Sequence, residues 1–250
     1  MVARETQLKD PELLELLLIA RRGLAYFSRK VNELKFSEWD EPSLLPGWSR
    51  RALIAHVGLN ARANRRLVEW AETGIETPMY DNPTQREDEI DFYATLNTQA
   101  ILNLHWHAAV DLDVAWRDLP NEKWSHEIRT AQGRLVPVSE TLWMRIREVW
   151  IHAVDIDNGG DVNDFPKLVI DRLLPDIIAV WRRRRAEVEV PNIVLAPTDR
   201  DQCWEMDQDQ PEDLVISGSA VDIVRWGIGR GTRGVLDQNG QLPPIAPRWL

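Results

Sequence analysis

The chain has 250 residues, 44% hydrophobic and 28% charged, a globular balance that suits one large domain or two smaller ones. A net charge of −10 and a pI of about 5.1 argue against nucleic acid as a partner, because a duplex binder needs a basic surface to release counterions. The single cysteine, Cys203, excludes an intrachain disulfide and fits a reducing cytoplasm, and no apolar run approaches the length of a membrane span.

Residues 10–34 read as an amphipathic helix, with Leu13, Leu16, Leu17, Ala20, Leu24 and Phe27 at helical spacing. Its acidic residues Asp10, Glu12 and Glu15 speak against a signal peptide. Leu44-Leu45-Pro46-Gly47-Trp48 is a turn, and Ser49 stands where an N-cap belongs. A second helix runs from there to Thr73, with Gly74 as its stop. A third helical region spans Thr84 to Asp118, with Asn97-Thr98 as a point of interruption. Residues 121–136 read as a hairpin or irregular crossing turning at Gln132-Gly133. A fourth helix opens at Pro137 or Ser139 and ends near Asp157.

Four long helices with these connections suggest a bundle. Composition then shifts at Asp157-Asn158-Gly159-Gly160-Asp161, which places a domain boundary near 160. A helix over 166–186, apolar runs at 193–195 and 214–216 and a helix over 220–228 describe a smaller α/β domain, residues 161–250. The fold class is therefore α+β, and twelve tryptophans predict a core rich in large rings.

The strongest chemical signal is Glu148-Val149-Trp150-Ile151-His152. Glu and His four apart share one helix face, and both ligate zinc. Taken alone the pair is weak, since most such pairs are surface pairs. The apolar neighbours Ile146, Val149 and Trp150 raise its weight, because a buried glutamate needs a partner. His56 sits in the apolar stretch Leu53-Ile54-Ala55-His56-Val57, where a hydrogen-bonded core histidine is the plainer reading. With Glu148 and His152 it would give three donors from two helices, the count of a catalytic zinc with an open position. His105, His107 and His126 read as surface residues or residues supporting a site. Cys203 reads as a structural or incidental thiol. Arg182 to Arg185 suit the negative end of a helix and read as a solvated face. Gly227-Ile228-Gly229-Arg230-Gly231 follows a helix rather than opening one, so it fails the context of a dinucleotide loop.

Leu45-Pro46-Gly47-Trp48-Ser49 with Leu53–Val57 resembles the first metal helix of the DinB-like metalloenzymes that use low-molecular-weight thiols, and Ser139–Asp155 resembles the second. The chain is similar to the mycothiol-dependent maleylpyruvate isomerases over nearly its whole length, including Glu76–Tyr80, Leu112–Arg117, Thr130–Arg134 and Pro247–Leu250, and least so over 157–212. The resemblance implies a DinB-like four-helix bundle in residues 1–160, a smaller α/β C-terminal domain and a zinc site between or beneath them. It implies His56, Glu148 and His152 as ligands of one divalent ion, Arg86 and Arg230 as active-site arginines, mycothiol as cofactor and a small dicarboxylate as substrate. From the sequence alone the better reading is that Arg86 pairs with the acids of Gln85-Arg86-Glu87-Asp88-Glu89, and that Arg230 caps its helix or makes an interdomain salt bridge. A cytoplasmic monomer is the expected state. A mycothiol S-transferase acting on other electrophiles, a non-catalytic metal-binding or regulatory module and a protein-binding bundle with fortuitous histidines are the alternatives.

Overall fold

The computed structural model of the chain describes residues 5–249. The chain divides into two compact units, Met1–Gly160 and Asp161–Leu250.

The first unit is helical. Helix α1 covers Pro11–Asn32 and starts where Asp10 accepts the backbone N–H groups of Glu12 and Leu13, with Pro11 in the first turn. Helix α2 covers Arg50–Thr73: Ser49 Oγ accepts Ala52 N–H at 3.2 Å, and Gly74 ends it at φ 77°, where a Cβ would be strained. The third helical region is two helices. Helix α3 (Gln85–Ala94) stops short of Asn97, which caps α4 (Thr98–Asp118) through its side chain on Ala100 N–H at 2.9 Å. Strands β1 (Glu127–Arg129) and β2 (Leu135–Pro137) pair antiparallel around a turn in which Gly133 has φ 77°. Helix α5 covers Glu140–Asp155.

Helix α2 packs along α4 and α5, and α1 packs along α5. The α1–α5 contact is close because of Gly23. A Cβ there would lie 2.5 Å from Val149 Cγ2 and 2.6 Å from Trp150 Nε1. That fit lets Trp150 donate to the Ile19 carbonyl and stack on Tyr26. Most of the tryptophans are core residues; Trp143 and Trp116 are buried in this unit, and Trp116 Nε1 donates to Thr141. Each large side chain removed from water contributes about 2–3 kcal/mol.

The second unit is mixed. Helix α6 (Lys167–Arg184) and α7 (Ala220–Gly227) meet through Trp181 and Trp226, whose rings are 5.6 Å apart and edge to face. A four-stranded sheet has the order β4-β3-β5-β6, from Trp204–Glu205, Ile193–Pro197, Leu214–Gly218 and Val235–Leu236. The central pair β3 and β5 is parallel, and both outer strands run antiparallel to it. The outer strands span two residues each, too short for any alternating pattern to mark them in the sequence. The arginine run is not simply a solvated face. Arg182 donates to the carbonyls of Glu205 and Met206, and Arg185 donates to Val190, so the end of α6 holds the sheet edge. Among the described residues no helix is long and apolar enough to cross a membrane.

Candidate metal centre

Helices α2 and α5 bring His56, Glu148 and His152 together. Each offers a ligand atom, and these atoms lie within 4.8 Å of one another. His56 Nε2 is 3.0 Å from Glu148 Oε2, and His152 Nε2 is 3.2 Å from the same oxygen. Two donors on a tetrahedral zinc at the usual bond lengths stand about 3.3 Å apart. The two separations fit that edge, and the donor set of two imidazoles and a carboxylate fits zinc. Glu148 and His152 keep side-chain exposures of 21% and 14%, so the cluster is open on one side.

The helices that carry the donors are locked in height. Arg50, at the start of α2, donates to the carbonyls of Ile156 and Asp157 at 2.7 and 2.9 Å, just past the end of α5. The same guanidinium donates to Glu41 Oε2 at 2.7 Å. Arg145, one turn before Glu148, donates to Val57 O and Asn60 Oδ1. Burial pulls its pKa down to about 10, and the charge of Glu148 works against that fall. Two arginines thus tie α2 to α5 on either side of the donors, and the hydrogen bonds of Arg50 satisfy carbonyls past the end of α5.

His152 Nδ1 lies 2.8 Å from Asp155 Oδ2, and Asp155 is fully buried. A carboxylate only accepts, so Nδ1 carries the hydrogen and Nε2 is left facing Glu148 and His56. Burial lowers the pKa of His152, but the hydrogen bonds and charges of Asp155 and Glu148 outweigh it and raise it to about 9. Burial favours neutral Glu148, yet the two imidazoles hold it well below the usual carboxylate range. His56 is pushed down by burial, only partly offset by Glu148.

Trp48 and Arg86 stand beside this cluster. The Trp48 ring lies 5.2 Å from that of His56 at 70°, and Arg86 lies over the Trp48 ring with its guanidinium carbon 5.8 Å from the centroid. Of the neighbouring acids, Asp88 accepts from Thr84 and Glu89 from Gln85. Tyr80 belongs here too and was not picked out by spacing. Its half-buried phenol is held protonated by burial, which pushes its pKa to about 12, and it feels the charges of Arg86 and Glu148.

A family profile described as Mycothiol maleylpyruvate isomerase N-terminal domain matches residues 20–157, which include all three donors. The chain belongs to this family. Two solved structures are similar to it: the crystal structure of the mycothiol-dependent maleylpyruvate isomerase and that of a histidine-to-alanine mutant of it. Each is 44% identical, with a TM-score of 0.89, covering 95% of this chain and 97% of the other. No curated protein matches. The α+β architecture, a helical N-terminal part followed by a smaller α/β part, is the one the family resemblance implied.

Arg230 lies in the second unit, where its backbone N–H bonds to Arg225 O and closes the end of α7. Cys203 is exposed. His107 is exposed and His126 partly so. His105 corrects the surface reading: it is fully buried, with Nε2 2.9 Å from Ser28 Oγ. Leu104 and Ala108, also buried, flank it on α4 and carry it inward.

Proposed function

We propose that this chain is a cis–trans isomerase that converts maleylpyruvate to fumarylpyruvate with mycothiol at a zinc site, within the breakdown of aromatic compounds through gentisate. The observation that carries the reading is the His56–Glu148–His152 cluster, a three-donor zinc set with an open side in a chain of this family.

The substrate has a cis carbon–carbon double bond conjugated to carbonyl groups, and rotation about it needs its π character removed. Zinc and thiol, when bound, supply reversible thiolate addition to that bond at neutral pH. His56, Glu148 and His152 would hold the ion. Asp155 keeps the proton on His152 Nδ1, which leaves Nε2 free to coordinate. Arg86 would take a substrate carboxylate, since guanidinium matches carboxylate with paired donors, and Arg230 would take the second. Tyr80, a protonated donor beside Arg86, is suited to a carbonyl or carboxylate oxygen. Cys203 has no activating partner in this scheme, so the nucleophile is the external thiol. One thiol and no disulfide suit a cytoplasmic setting.

The test is turnover of maleylpyruvate by zinc-loaded protein with and without mycothiol. Conversion that requires mycothiol and disappears on chelation supports the assignment. Zinc-bound protein that converts no maleylpyruvate but conjugates mycothiol to other electrophiles makes it a transferase. Zinc binding with no turnover of either kind makes it a binding module.

A further inference from the structure

We infer that Trp48 is a positioning residue that seats Arg86 beside the metal donors; the inference rests on Arg86 being the substrate-carboxylate residue proposed above. Leu45-Pro46-Gly47-Trp48 is a turn in which Trp48 N–H bonds to Leu45 O at 3.1 Å, with proline second and Gly47 third at φ 82°. That is the residue order of a type II turn, in which the third position requires a left-handed backbone. The Trp48 carbonyl accepts both the N–H and the Oγ–H of Ser43, each at 2.9 Å. Ser49 then caps α2. The indole therefore leaves a backbone fixed on both sides.

One ring serves two neighbours. Its contact with His56 is edge to face at 5.2 Å, and Arg86 stacks over it at 5.8 Å. Arg86 is on the first turn of α3, a helix whose one buried residue is Ile90. Ile90 joins Leu59 and Leu104 in a small cluster, against which Trp48 and Tyr93 pack. Tyr93 in turn accepts a hydrogen bond from Arg62 of α2 at 2.7 Å. Helix α3 is thus anchored beyond Arg86, through Ile90 and Tyr93. The long Arg86 side chain is held by the Trp48 face and by a hydrogen bond with the Tyr80 phenol, and its charge reaches His56; the indole face is the contact whose loss the substitutions below test. A guanidinium prefers such a face because it is planar and weakly hydrated. Fixing it before substrate arrives removes an ordering cost from binding.

Two substitutions separate seating from mere bulk. Trp48→Phe keeps a ring face, and Trp48→Leu removes it. In Trp48→Leu, kcat/KM for maleylpyruvate should fall about tenfold, mostly through KM, with zinc content unchanged. In Trp48→Phe the loss should be smaller. Adding Trp48→Leu to Arg86→Ala should cost nothing more, because the tryptophan acts through the arginine. The second readout needs no turnover. Arg86 Hε, shifted upfield by the indole ring in the wild type, should move downfield in Trp48→Leu and less in Trp48→Phe. An Arg86 signal that does not move in Trp48→Leu, or losses that multiply in the double variant, overturns the inference. Wild-type turnover alone decides the isomerase reading, so failure of that reading is distinguishable from failure of the seat.

Discussion

His105 should make the fold acid-sensitive in a measurable way. It is fully buried in α4, with Ser28 on one ring nitrogen and, among the described residues, no hydrogen-bond partner on Nδ1. Burial, reinforced by the charge of Arg145, pushes its pKa from 6.5 to about 3. The sign follows from linkage. Below its ordinary pKa the unfolded chain protonates this histidine while the folded chain refuses the proton, so stability is full above pH 6.5 and falls towards pH 3. Each pKa unit is worth about 1.4 kcal/mol, so the loss between about pH 8 and about pH 5 is about 2 kcal/mol. The assay is urea unfolding at both pH values for the wild type and for His105→Gln, which can still bond to Ser28 but cannot titrate. Contributions from His56, Glu148 and His152 cancel in the difference. The wild type should lose about 2 kcal/mol more than the variant. Equal losses, or a His105 ring resonance that titrates above pH 5 in the folded protein, would refute the reasoning.

Three further outcomes follow from the same geometry. Replacing His56 or His152 with alanine should abolish stoichiometric zinc, read by elemental analysis after dialysis, because two donors do not hold a catalytic ion. Asp155→Asn should weaken zinc binding by about 10- to 100-fold, measured by competition with a chelator, since the amide accepts less strongly from His152 Nδ1. Gly23→Ala should lower the unfolding free energy by about 1–3 kcal/mol, read by urea unfolding, because the new methyl meets Val149 and Trp150 at 2.5–2.6 Å.

The helices were readable in the sequence where local chemistry marks them. Ser49 and Gly74 bound α2, the Glu148–His152 spacing marks one face of α5, and Asn97 marks the break between α3 and α4. His56 was readable only as a member of a set, since nothing local distinguishes a ligand from a core histidine. Tyr80 and Trp48 escaped because their roles depend on contacts from distant segments that no helical or strand period encodes. His105 escaped for a related reason: its partner Ser28 lies 77 positions away on α1. The arginines at the end of α6 looked solvated because the carbonyls they meet lie in a two-residue strand, just past it, or in the loop after the helix, where no period marks them.

The clamp formed by Arg50 bears on how an ion would arrive. Its hydrogen bonds to Ile156 and Asp157, with Leu44 N–H on Asp155 O, set the ends of the two donor helices against each other through protein contacts alone. A zinc finger gathers its ligands only as the metal binds, so that ion is a folding partner. Here the ion would be a guest in a finished room. Chelation should empty the room without collapsing it, and reloading should proceed at the pace of diffusion and ligand deprotonation rather than of chain folding.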